Sequence, residues 1–88
     1  MLTTAARASV ATHGTALTFE TVRDTDVAPL RVRPSEETML RVIAGELLVT
    51  AMGETRVLGP GEEALLPAGI PHRLACANGE ARLLAGFR

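Results

Sequence analysis

Turn-forming residues divide this chain into short segments, and their spacing restricts the fold more than any other feature of the sequence. Turns are indicated at roughly 8–12-residue intervals, at Gly45-Glu46, Gly53-Glu54, Gly59-Pro60-Gly61, Pro67-Ala68-Gly69 and Asn78-Gly79. Between them, apolar and polar side chains alternate, which is typical of half-buried β-strands, and no segment has apolar residues at helical spacing. The pattern predicts an all-β sandwich or barrel, and an antiparallel barrel leaves no open sheet edge.

The alternation predicts strands at residues 17–22, 30–33, 38–44, 47–52, 55–58, 64–66, 72–76 and 82–87. We expect the last two to form a hairpin turned at Asn78-Gly79. Residues 1–15 are small, polar and unpatterned, which predicts a flexible arm or an edge strand. The barrel domain is then residues 16–88.

Composition excludes several classes of function. The 88 residues suffice for one domain. Nine basic and ten acidic residues give a net charge of −1, which argues against nucleic-acid and membrane-surface binding because both need a basic surface. A single cysteine, Cys76, cannot form an internal disulfide. No apolar region follows Arg7, so we expect no secretory signal. No apolar run approaches the ~18 residues of a membrane span. We therefore expect a cytoplasmic protein.

Residues 61–72, GEEALLPAGIPH, form the most specific motif in the chain. Gly61 suits a tight turn, and Pro67 and Gly69 shape a second one. His72 then begins a strand, from which its side chain can point into a barrel.

This motif resembles the second motif of the cupin superfamily, G-x5-P-x-G-x2-H-x3-N, with Cys76 in place of the final Asn. The resemblance extends over residues 30–88. It implies a single small antiparallel β-barrel of the cupin type, which is a jelly roll or double-stranded β-helix.

The first cupin motif, G-x5-H-x-H-x3–4-E-x6-G, is altered here. Its closing glycine aligns with Gly45, which places the acidic position at Thr38, or at Glu37 if the strand carries one extra residue. Either choice places the two histidine positions at Arg31 and Arg33.

Metal-binding members of the family hold iron, manganese, zinc or nickel with three histidines and one glutamate, and only His72 of this set remains. A guanidinium stays protonated and has no lone pair to offer a metal. We therefore expect no cofactor. The alternative is a divalent ion in a degenerate site, held by His72, Glu37 and a water or substrate ligand.

Arg31 and Arg33 lie two residues apart on a predicted strand, so their side chains share a face. In the cupin arrangement this face lines the cavity, and the resemblance implies a cationic pocket of Arg31, Arg33, Glu37 and His72 for a carboxylate or phosphate. If the strand is shifted or lies at an edge, both arginines instead reach solvent or pair with Glu36 and Glu37. Both arrangements remain open.

Three kinds of function follow. The first is metal-independent binding of a small anionic molecule. The second is a metal-independent isomerase, epimerase or cyclase with His72 as acid or base; the alternative for His72 is a satisfied histidine without a catalytic role. The third is a structural module, whose barrel would be filled by Leu40, Val42, Leu66 and Leu74. Cys76 is expected to act as a small buried hydrophobe, and the small size predicts a homodimer.

Overall fold

The computed structural model describes residues 17–88, so the predicted arm at residues 1–15 lies outside the described residues. The described residues form strands and turns without a helix, which confirms the predicted all-β class. The strands are β1 (Leu17–Arg23), β2 (Thr38–Ala44), β3 (Leu47–Ala51), β4 (Glu54–Leu58), β5 (Glu63–Leu66), β6 (His72–Ala75) and β7 (Glu80–Phe87). Residues 17–88 contain no helix long and apolar enough to cross a membrane.

Two antiparallel sheets enclose one hydrophobic core. The first sheet has the strand order β1-β7-β2-β5, and the second has the order β4-β3-β6. Fully buried side chains from both sheets meet between them, among them Leu40, Val42, Leu47, Val49, Leu66 and Leu83. This packing of two sheets face to face is a small jelly-roll barrel, as predicted.

The segment 30–33 is not the regular strand that the sequence predicted. Arg31 forms a single antiparallel bridge with His72, in which each backbone N–H donates to the other residue's carbonyl at 2.8 Å. The next hydrogen-bonded pair of such a ladder would be Pro29 and Leu74. Proline has no backbone N–H to donate, so the ladder does not continue in this direction. In the other direction the Ile70 N–H donates to the Pro67 carbonyl, so the ladder ends there as well.

The predicted hairpin of the last two strands is also wrong. β6 pairs with β3 in the second sheet, and β7 pairs with β1 and β2 in the first. The turn at Asn78-Gly79 exists, but it connects the two sheets. The Gly79 N–H donates to the Asp24 carboxylate at 2.9 Å, and the Asp24 N–H donates to the Gly79 carbonyl at 2.8 Å. These bonds tie the turn to the end of β1, so the chain enters the first sheet there.

Two glycines hold turns that other residues would strain. Met52 and Gly53 join β3 to β4 with positive φ angles of 54° and 74°, the type I′ geometry preferred in two-residue hairpins. Gly45 follows a register shift between Val42 and Ala44. Its φ is +79°, and a Cβ there would lie 2.3 Å from the carbonyl oxygen of Glu80. Gly45 therefore allows β2 to end directly against β7.

We predict that Gly45→Ala destabilises the barrel much more than Gly53→Ala. Both variants place a side chain in left-handed backbone, which costs about 1–2 kcal/mol, but a Cβ at residue 53 meets no atom within 4 Å. At residue 45 the clash is with backbone atoms that must move, so we expect a total loss of about 3 kcal/mol or more. Urea unfolding measures both losses, and equal losses would contradict the close approach at Gly45.

Candidate functional site

A cavity of about 210 Å³ lies between the two sheets. Side chains of β1, β2, β6 and β7 line it, together with the segment 31–33. The lining residues are Thr18, Glu20, Arg31, Val32, Arg33, Thr38, Leu40, His72, Leu74, Ala85 and Phe87. One part of this wall is charged and the other is apolar, so the cavity suits a small molecule with a polar and an apolar end.

His72 is the first residue of β6 and is buried, with 5% of its surface exposed. Its Nδ1 lies 3.3 Å from the carbonyl oxygen of Ile70. A carbonyl only accepts, so we assign the hydrogen to Nδ1, which leaves Nε2 of the neutral ring as an acceptor. Burial is the largest effect and lowers the pKa of His72 below 6.5. The hydrogen bond to the Ile70 carbonyl opposes it, and the smaller effects of Arg31, which lowers the pKa, and Glu20, which raises it, come next. The ring is therefore neutral at pH 7.

Arg31 and Glu20 form an ion pair with two contacts between their side chains. Arg31 Nη1 donates to Glu20 Oε1 at 2.8 Å, and Nη2 donates to Oε2. About a third of each side chain is exposed. The hydrogen bonds to Glu20 raise the pKa of the Arg31 guanidinium, which is already charged at any physiological pH. The carboxylate thus neutralises the cation that the sequence predicted to attract an anion.

Arg33 lies at the exposed rim of the cavity. Its Nη1 donates to the Glu36 carboxylate at 2.8 Å, and its guanidinium stacks 3.6 Å from the centre of the Phe87 ring. Nearly half of each partner of the ion pair is exposed. An exposed ion pair of this kind contributes only about 0–1 kcal/mol, so a ligand can replace Glu36 as the partner of Arg33 at little cost.

Glu37 is not on the wall of this cavity. Its backbone exchanges hydrogen bonds of 2.7 and 2.9 Å with Arg88, and its carboxylate lies 3.7 Å from Arg88 Nη2. The structure therefore brings Arg31, Arg33 and His72 together and leaves Glu37 outside. The sequence left open whether the arginines line the cavity or pair with Glu36 and Glu37. Both arginines line the cavity, and Arg33 also pairs with Glu36.

Glu20 is the residue of this site that the sequence analysis missed. The alternation in β1 separates Leu17 and Phe19 from Thr18 and Glu20, and the charged face is the one that turns towards the cavity. A signal existed, because a threonine and a glutamate at alternate positions mark a polar face. It could not show which face is inside.

The residues at the cavity do not fit a divalent metal. The cavity wall carries Arg31 and Arg33, whose guanidinium groups have no lone pair for a metal, and its carboxylate, Glu20, is bonded to one of them. Among residues 17–88, no group of three or more His, Cys, Asp or Glu side chains could hold a metal ion. Cys76 is buried, and its thiol donates to the Asn78 carbonyl at 3.3 Å.

The fold and the site define a small antiparallel jelly roll with one histidine in a cavity that is part apolar and part charged. The family model for the cupin domain matches residues 18–87. The chain belongs to the cupin domain family. No curated protein matches it.

Solved structures agree on the fold. A cupin-2 domain-containing protein from Shewanella frigidimarina has a TM-score of 0.70 at 17% identity, over 82% of this chain and 67% of that protein. An ethanolamine utilization protein Q from Salmonella typhimurium has a TM-score of 0.68 at 20% identity, over 78% of this chain and 53% of that protein. A predicted oxalate decarboxylase from Thermotoga maritima has a TM-score of 0.73 at 15% identity, over 81% of this chain and 63% of that protein. At these identities the likeness shows the shared fold. The chain spans between about half and two-thirds of the length of these proteins.

We predict that His72 titrates below pH 6.5 in an NMR titration of its ring protons. Because the folded-state pKa is lowered, the unfolded chain takes up a proton near pH 6.5 that the folded chain does not. Stability from this difference is present above pH 6.5 and is lost as the pH falls below it. Wild type should therefore lose more unfolding free energy between pH 7.5 and 5.5 than His72→Gln, whose spectrum also assigns the His72 signals. A His72 pKa at or above 6.5 would contradict the buried neutral ring.

Proposed function

We propose that this chain is a metal-independent cupin that binds a small organic anion in its barrel. The observation that carries the proposal is the cavity itself, in which Arg31 and Arg33 face the apolar side chains of Leu40 and Leu74. A barrel that served only as structure would be filled by its leucines. Here two of them, Leu40 and Leu74, line the cavity, and space remains beside them.

The size of the cavity limits the ligand. A volume of about 210 Å³ is that of about seven water molecules at roughly 30 Å³ each. It is smaller than the ~300–1,000 Å³ typical of sites for drug-sized molecules. The part of the ligand inside the cavity is accordingly the size of a small metabolite.

The charge of the wall sets the charge of the ligand. Arg31, Arg33 and Glu20 are its ionised side chains, and with His72 neutral they give a net charge of +1. One carboxylate balances this charge. Arg33 is the contact for it, because its partner Glu36 lies at the exposed rim and is readily replaced.

The second candidate function is an isomerase, epimerase or cyclase that needs no metal. It is favoured by one observation, a buried neutral His72 whose Nε2 is free to accept a proton. Glu20 supplies a carboxylate on the same cavity wall, although it is bonded to Arg31. Full activity of a His72→Ala variant on an identified substrate would exclude His72 as the base.

The anion site is tested by removing its charges. In the variant Glu20→Gln/Arg31→Gln/Arg33→Gln, neutral amides replace the charged groups and the net charge falls by one. Arg41→Gln changes the net charge equally at a 45% exposed side chain outside the cavity wall. We expect wild type and Arg41→Gln to bind at least one of propionate, lactate, malonate and phosphate in an NMR titration. The triple variant should bind it about tenfold more weakly or worse.

Circular dichroism of the triple variant checks that the barrel has folded. Equal affinities of the triple variant and wild type would contradict the anion site.

Metal analysis of the purified wild type is the second check. We expect no stoichiometric iron, zinc, manganese or nickel, and such a metal bound through His72 would overturn the proposal.

We also propose that a second copy of the chain covers the outer face of the first sheet. Phe19 is 74% exposed there, with Leu17 and Ile43 nearly half exposed. A groove of about 240 Å³ runs beside Phe19, lined in part by Ile43 and Arg82. A protruding ring next to a groove suits a two-fold interface, because each copy presents both.

Light scattering should give the mass of a dimer at micromolar concentration, and Phe19→Ser should shift it towards the monomer. Val57→Ser is the control, since Val57 is 56% exposed on β4 in the other sheet. A monomeric wild type would contradict the interface.

A further inference from the structure

We propose that Glu20 determines which anion the cavity accepts, and that it selects monocarboxylates bearing a hydroxyl group over dianions and over simple carboxylates. The inference rests on the proposed function, because it names the class of ligand for the same cavity. Its basis is the contact of both Glu20 oxygens with both terminal nitrogens of Arg31 inside the wall.

The ion pair keeps unused hydrogen-bonding capacity of both kinds. A guanidinium has five N–H donors and a carboxylate about four lone-pair sites, and the pair uses two of each. Glu20 and Arg31 together therefore present donors and acceptors to the cavity without a net charge. A ligand group that both donates and accepts, such as a hydroxyl, satisfies such a surface.

The pair also limits the number of negative charges. An anion next to Arg31 is repelled by Glu20 at a similar distance, so the attraction of Arg31 is largely offset. Arg33 is then the cation at the wall available for a carboxylate. A second negative charge on the ligand would face Glu20 without another cation on the cavity wall to balance it.

His72 is a second group that needs a hydrogen-bond donor on the ligand. Its Nδ1 hydrogen is directed to the Ile70 carbonyl, so Nε2 can only accept. A simple carboxylate has acceptors alone. It would give no hydrogen to His72 or Glu20, and the buried Nε2 acceptor of His72 would be left unsatisfied. A hydroxyl on the ligand supplies that hydrogen while its carboxylate contacts Arg33.

Three acids of similar size separate these effects at pH 7.5. Lactate and propionate differ by one hydroxyl, and malonate carries a second carboxylate. We expect wild type to bind lactate about tenfold more tightly than propionate or malonate. In Glu20→Gln the malonate affinity should rise, so that the lactate-to-malonate ratio falls by about tenfold. Glu46→Gln makes the same change in net charge at an exposed turn away from the cavity wall, and it should keep the wild-type ratio.

The outcomes distinguish this inference from the proposed function. If wild type binds malonate as tightly as lactate, or if Glu20→Gln keeps the wild-type ratio, Glu20 does not select the ligand although the anion site stands. If wild type binds none of these acids and no phosphate, the anion site itself is wrong. The wild-type ratios decide the selectivity even if Glu20→Gln fails to fold.

Discussion

Two backbone hydrogen bonds between Arg31 and His72 determine how the site is assembled. They hold the segment 31–33 against the start of β6, so the imidazole and the guanidinium enter the cavity from adjacent positions. Because the ladder ends at this bridge, the segment remains a connection, and residues 31–33 line the cavity and its rim. The bridge thus holds Arg31 at the cavity, while β1 brings Glu20 to the same wall.

The same bridge explains why the chemistry of this cavity differs from that of a metal centre. In a metal site, neighbouring side chains converge their lone pairs on one ion. Here the residue paired with His72 is an arginine, which offers only donors, and burial is the main cause that lowers the pKa of the ring. The cavity is thus organised by hydrogen bonds and by a balanced ion pair, and the selectivity that we propose depends on where donors and acceptors lie.

Much of this fold could be predicted from the sequence, because turn residues and alternation are local signals. β2 occurs at residues 38–44 as predicted, and His72 is buried at the start of β6. The partner strands of β6 and β7 could not be predicted. The Asn78-Gly79 turn indicates a change of chain direction, but it does not determine with which strands β6 and β7 pair. Glu20 was missed because an alternating strand has two faces, and Phe19 occupies the outer one.

The position of β1 has a consequence for the dynamics of the cavity. Among residues 17–88, β1 is hydrogen-bonded to β7 alone, at the edge of the first sheet. Edge strands open locally at a lower free energy than the central strands of the same domain. Most of the cavity wall is held by the barrel core, whereas Glu20 is carried by a strand paired on one side. We therefore expect the position of the Glu20 carboxylate to vary more than the shape of the cavity.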